Sequence, residues 1–95
     1  MRAYELMVIH RPDLEEADVR SAFENIQNAL TSSGGTVKVT DFWGKRRFAY
    51  EIGHFAEGYY SVVAFDAEAE AVTTMDRTLA ISDAVVRHKI VRLDD

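Results

Sequence analysis

The residues best equipped for chemistry in this chain are cations set among aromatic rings. Lys45-Arg46-Arg47 stands between Phe42-Trp43-Gly44 and Phe48-Ala49-Tyr50, and Arg87-His88-Lys89 with Arg92 forms a second basic group near the C-terminus. Arg2 adds a cation at the other end. Lysine and arginine neutralise phosphate, and the planar guanidinium does so through paired hydrogen bonds. Rings between such cations can stack on unpaired bases or on a partner's side chains. The same pattern suits a solvated sheet edge whose charges discourage aggregation. Trp43, the single tryptophan, adjoins Gly44 and the basic run, which favours an interface anchor over a core position.

Catalytic arrangements are poorly represented. His10, His54 and His88 are far apart in the chain, so no metal-ligand cluster is expected. His88 reads as a strand residue packed near the helices, and His54 as a loop residue. Neither a G-x-S-x-G nucleophile elbow nor a G-x-x-x-x-G-K-[ST] phosphate loop occurs. Most carboxylates fall on helix exteriors, where a solvated face explains them better than an acid–base pair does. No enzyme, metal or cofactor is expected.

The elements that must position the basic groups follow from periodicity. Arg2 to His10 alternates as a strand, with Tyr4, Leu6 and Val8 on one face and Glu5, Met7 and Ile9 on the other. Pro12-Asp13 ends it, and Asp13 is placed to cap a helix, with Glu16 three residues on. Val19, Ala22, Phe23, Ile26 and Leu30 form the apolar face of that helix, which Ser32-Ser33-Gly34-Gly35 closes. A long extended stretch runs from Thr36 to Tyr50 or Ile52, with a bulge or bend expected at Gly44. Gly53 to Gly58 reads as a hairpin loop and Tyr59 to Phe65 as a strand. Asp66 is expected to cap a second helix buried through Val72, Met75 and Leu79, and Val85 to Arg92 is a last strand. The order βαββαβ predicts one α+β domain over residues 1–95 with the ferredoxin-like fold. Right-handed crossovers place both helices on one face of a four-stranded antiparallel sheet and leave the other face open.

Composition bounds the function classes. With 95 residues, 47% of them hydrophobic, the chain has one core and no room for a deep pocket. The absence of cysteine excludes a disulfide scaffold, a zinc ribbon and thiol chemistry. No apolar run is long enough to span a membrane. Glu5 stands where a leader would be apolar, so the chain is expected to stay in the cytoplasm. The net charge of −5 argues against nucleic acid until it is divided. The helical segments 13–33 and 66–80 hold nine carboxylates against two arginines, a balance of −7. The remainder holds nine cations against seven carboxylates, a balance of +2. A two-sided molecule is expected, its strands and hairpins positive. On the last strand Arg87, Lys89 and Val91 share the open face with Glu5, Met7 and Ile9, a mixture suited to contact.

The run Trp43-Gly44-Lys45-Arg46-Arg47-Phe48-Ala49-Tyr50-Glu51-Ile52 closely resembles the signature of the bacterial small-subunit ribosomal protein number six family. Three further blocks match in order: Met1-Arg2-Ala3-Tyr4-Glu5, the hairpin closing on Gly58-Tyr59, and Leu79 through Val85 to Arg87 and Arg92. The resemblance implies a ferredoxin-like, non-enzymatic, RNA-binding protein of the ribosome. It further implies pairing with small-subunit ribosomal protein number eighteen on the central domain of 16S ribosomal RNA. Under it, Arg2, Lys45, Arg46, Arg47, Arg87 and Arg92 become candidates for phosphate or partner contact, beside Lys89 on the same strand as Arg87. Trp43, Phe48 and Tyr50 become packing or interface groups. Phe48 stands where leucine is more usual in the family, a change suited to a partly exposed strand. Gly53 stands where a basic or polar residue is usual. The chain ends at Asp95 without the extension of some members, which implies a smaller partner contact.

Two other readings follow from the same residues. One is a dimeric ferredoxin-like regulator or small enzyme working through the open sheet face. The other is a single-strand RNA reader with aromatics on two central strands. Tyr59 and Tyr60 would serve on one, but only Tyr4 is offered by the other, where it shares a face with Leu6 and Val8.

Overall fold

Leu6 and Val8 in one strand, and Val63, Phe65 and Ala67 in another, alternate with less buried neighbours and form the floor of the core. A computed structural model describes residues 1–93. The elements are β1 (Arg2–His10), α1 (Glu16–Ser32), β2 (Thr36–Ile52), β3 (Phe55–Ala67), α2 (Ala69–Ala80) and β4 (Val85–Arg92). The strands pair antiparallel in the order β2-β3-β1-β4, which places β2 and β4 at opposite edges. Both helices pack on one face, where Phe23, Ile26, Leu30, Met75 and Leu79 close over Leu6, Val8, Val63 and Phe65. Burial of each large apolar side chain contributes about 1.5–3 kcal/mol. The ferredoxin-like architecture read from the element order is therefore present.

Both helices start later than their capping residues suggested. Arg11 donates from Nε and Nη2 to the Asp13 carboxylate at 3.1 and 2.8 Å, and this hydrogen bonding holds the carboxyl below its usual range. Occupied in that way, Asp13 caps nothing; Glu15 takes the cap position without a side-chain hydrogen bond. Asp66 stays within β3 and pairs with Lys38 at 3.2 Å, and Glu68 precedes α2 instead. The helices proper therefore carry two arginines against five carboxylates. Asp13, Asp66 and Glu68 are neutralised locally by Arg11, Lys38 and the N-terminal amine. The charge contrast between the layers is smaller than the segment count implied.

The β2–β3 hairpin departs most from expectation. Its loop is only Gly53-His54, both at positive φ (55° and 70°), as in the primed turns whose twist matches paired strands. Residues 55–58 are thus strand, and the left-handed turn explains glycine at position 53. The bulge foreseen at Gly44 is present, with a register shift between Phe42 and Gly44 and φ at 82°. A second irregularity spans Arg47 to Ile52, opposite only Glu57 to Phe55. The surplus chain lets the hairpin curl over the face opposite the helices. Arg11 lies over the Phe55 ring at 5.6 Å, and Gly53 comes close to Val86 at the start of β4.

This curl builds a second, smaller core. Ile9 is only 1% exposed, so it does not belong to the open surface assigned to it from sequence, and Phe48, expected on a partly exposed strand, is a packing group only 9% exposed. Gly58 lies between them: a Cβ there would stand 2.7 Å from Ile9 Cγ2, 2.9 Å from the His10 carbonyl oxygen and 3.0 Å from Phe48 Cζ. Only glycine permits that approach without displacing a neighbour.

His10 is buried on the helix side of β1, and neither its Nδ1 nor the buried Ser61 Oγ has a hydrogen-bond partner among the described residues. Burial pushes the His10 imidazole below its ordinary value of about 6.5. The unfolded chain then binds the proton more readily than the folded one, so stability rises with pH across this window. The free energy of unfolding from urea titrations should be level above about pH 7 and fall as the pH drops through 6 toward 5, by at most about 1.4 kcal/mol per pH unit. His10→Gln should flatten that dependence, and an unchanged slope in the variant would remove His10 as its source.

Candidate nucleic-acid interface

Strand alternation divides the basic run that is contiguous in sequence. Lys45 pairs with Tyr59 on the helix side, its Nζ 5.1 Å from the centre of that ring. Arg47 lies on the same side, opposite Glu57, without closing to an ion pair. Arg46 pairs with Gly58 and faces the open side, where it lines a cleft with Trp43 and Tyr60. Alternation from Phe42, opposite Ser61 on the helix side, puts Trp43 on this side as well, and the Gly44 bulge that follows is what turns Arg46 to join it. Its indole stacks on Tyr60, with ring centres 5.9 Å apart and planes 10° from parallel, and its Nε1 donates to Asp41 Oδ2 at 2.9 Å. Phe48 meets Tyr60 edge-on at 5.8 Å.

Across the sheet, Arg87 and Lys89 pair with Ile9 and Met7 on the side away from the helices, Arg87 and Lys89 exposed there and Ile9 covered by the hairpin. His88 points to the helix side, with Nε2 and Asp76 Oδ1 hydrogen-bonded at 2.8 Å. Two strands lie between Arg46 on β2 and Arg87 on β4, about 14 Å at ordinary strand spacing. Met7, Val62 and Ala64 fill the middle of this face, half-buried, with Val39 and Val91 exposed beside them. Arg2 pairs with Ala67 and Arg92 with Tyr4, which places both on the helix-side alternation at the end away from the hairpin. Tyr50 is 75% exposed and joins no ring contact among the described residues.

The cations also differ in what already holds them. Arg11, Arg20 and Lys38 are paired with Asp13, Glu16 and Asp66. Arg20 also lies over Phe42 at 4.1 Å, tying α1 to β2. Arg2, Lys45, Arg46, Arg47, Arg87 and Lys89 have no carboxylate partner among the described residues. A cation without an internal partner loses none on meeting a phosphate. Tyr60, weighed from sequence only as a ring on a central strand, supports Trp43 from the adjacent strand, a pairing that sequence reasoning missed. No local signal marks the pair, since the two-residue turn brings positions 43 and 60 together only through both irregularities of β2, at Arg47–Ile52 and at Gly44.

The sequence profile of the family described as Ribosomal protein S6 matches residues 3–92. The chain belongs to the ribosomal protein S6 family. Small ribosomal subunit protein bS6 of Symbiobacterium thermophilum is 50% identical over 92 residues, covering 97% of both chains. That of Paenarthrobacter aurescens is 43% identical, over all of this chain and 94% of its own. The crystal structure of 30S ribosomal protein S6 from Thermotoga maritima superposes with a TM-score of 0.91 at 26% identity, over 96% of this chain and 86% of that one. The C-terminal domain of the MgtC protein from Mycobacterium tuberculosis shares the fold alone, at TM-score 0.61 and 13% identity, over 97% and 87% of the two chains. S6-family proteins are structural and non-enzymatic. No group of three or more metal-ligating side chains occurs among the described residues of this S6-family chain, and no helix is long and apolar enough to cross a membrane. Asp95, on which the expectation of a smaller partner contact rests, lies outside the described residues.

Proposed function

We propose that this protein is a structural constituent of the small ribosomal subunit that binds 16S ribosomal RNA together with small-subunit ribosomal protein number eighteen. Family membership supports the ribosomal part of this reading. The observation that carries the RNA part is the set of cations left without carboxylate partners, Arg46, Arg87 and Lys89 on the open sheet face above all. Arginine and lysine in that condition bind the phosphate backbone electrostatically, positioning the protein without reading sequence. Arg2, Lys45, Arg47 and Arg92 stand outside that face and are assigned to the partner side. Helices directed to solvent keep the carboxylate excess of the chain away from RNA.

Sedimentation of a tagged chain from lysate at low and high salt tests the reading. The tagged protein should travel with the small ribosomal subunit at low salt and leave it progressively as salt rises. Recovery as a free homodimer without RNA at both salt concentrations would overturn it in favour of a ligand-binding regulator.

A further inference from the structure

We infer that Trp43, Tyr60 and Arg46 form a site for a single unpaired nucleotide of RNA, its base on the outer face of Trp43 and its phosphate at Arg46. The inference rests on the RNA-binding reading above and gives it one defined contact.

A stacking site needs a flat ring with one free face, a fixed ring plane and a cation within a nucleotide's reach. Trp43 remains 45% exposed although one face rests on Tyr60 nearly in parallel. Its plane is held twice over: the Gly44 bulge sets the backbone, and Asp41 accepts the indole N–H at 2.9 Å. Tyr60 is braced edge-on by Phe48, which is itself buried near Ile9 and Gly58. The rings thus run without a break from the second core to the surface, and little freedom is left to lose on binding. Arg46 shares the cleft and has no carboxylate partner among the described residues.

Charge orients the occupant. Asp41 sits at the indole nitrogen and repels phosphate from that end, whereas Arg46 attracts it at the other. A base stacked on the indole with its phosphate at Arg46 satisfies both. Such stacking tolerates any base, because every base has a π-face. The platform differs from one built on two central strands: Tyr60 stands on central β3, but its companion comes from edge strand β2.

Trp43 is the only tryptophan, so its fluorescence reports this site alone. The full chain is titrated with a single-stranded hexauridylate and with an RNA duplex at equal phosphate concentration. The single strand should quench the fluorescence and the duplex should not. Trp43→Ala should weaken binding of end-labelled hexauridylate roughly tenfold, and Trp43→Phe should recover part of the loss. Arg46→Ala should reduce the salt slope by about one while leaving quenching at saturation unchanged. Thermal unfolding of each variant confirms that it is folded. Absence of quenching at millimolar single strand, equal quenching by duplex, or unchanged affinity in Trp43→Ala would each overturn the site. Quenching by ribosomal protein number eighteen without RNA would overturn it too, by assigning the cleft to a protein. If the wild-type chain still sediments with the small subunit when these tests fail, the ribosomal reading stands and this site alone is lost.

Discussion

Phe48→Ala should lower the free energy of unfolding by about 3–5 kcal/mol, the usual cost of deleting a buried phenylalanine ring. From sequence the residue is a packing or interface group on a partly exposed strand, next to three cations. In the structure it is 9% exposed, in contact range of the space beside Gly58, and edge-on to Tyr60. Its loss would open a cavity under the hairpin that Ile9 and Gly58 cannot fill, because the backbone already approaches as closely as glycine allows. For a domain of this size each kcal/mol lowers the melting temperature by roughly 4–8 °C, so the variant should melt well below the parent. Phe48→Leu, which keeps an apolar side chain in the same space, should cost about 1 kcal/mol. Tyr50→Ala, at a position 75% exposed, should stay within about 0.5 kcal/mol. Urea unfolding of the three variants decides it. A loss below about 1 kcal/mol in Phe48→Ala would show that the second core contributes little.

The second large effect concerns which cations act together on RNA. Arg46 and Arg47 are neighbours in sequence but face opposite sides of the sheet, while Arg46 and Arg87 share the open face across two intervening strands. If RNA lies across that face, Arg46→Ala with Arg87→Ala removes two phosphate contacts. The slope of log affinity against log salt should then shrink by about two, with roughly a 30-fold loss of affinity near physiological salt. Arg46→Ala with Arg47→Ala should shrink it by only about one. Binding of a 16S ribosomal RNA fragment, with ribosomal protein number eighteen present, across a salt series separates the two pairs. A larger loss in the Arg46/Arg47 pair would place RNA along the β2 edge instead.

The difference between these pairs shows where sequence reading stops. Period-two alternation and the 3.6-residue spacing of Val19, Phe23, Ile26 and Leu30 are local, so the elements, their order and the main core were all legible. The four matched blocks around Trp43-Gly44-Lys45-Arg46-Arg47 made the family legible as well. Capping was misread because Arg11 and Lys38, from outside the helices, claim Asp13 and Asp66 first. Such competition depends on which side chains fold next to one another, and spacing does not record it. The burial of Ile9, and of Phe48 beneath the hairpin, was not foreseen for a related reason. A strand's alternation says which face a residue occupies, not whether the chain later curls back to cover that face.

By itself, then, the sequence determined the βαββαβ order, the helix-covered core, the basic and aromatic content of β2, and membership of the S6 family. Those properties depend on residue type and short-range period. Only the tertiary structure decided that Trp43 rests on Tyr60, that the Gly44 bulge turns Arg46 and not Lys45 or Arg47 to the open face, and that Phe48 is core. Each of these depends on the register of β2 against β3. A shift of one residue in that register exchanges the faces of every side chain in the strand, so the exposed surface of β2 is set by the bulges within this hairpin and not by the residue types alone.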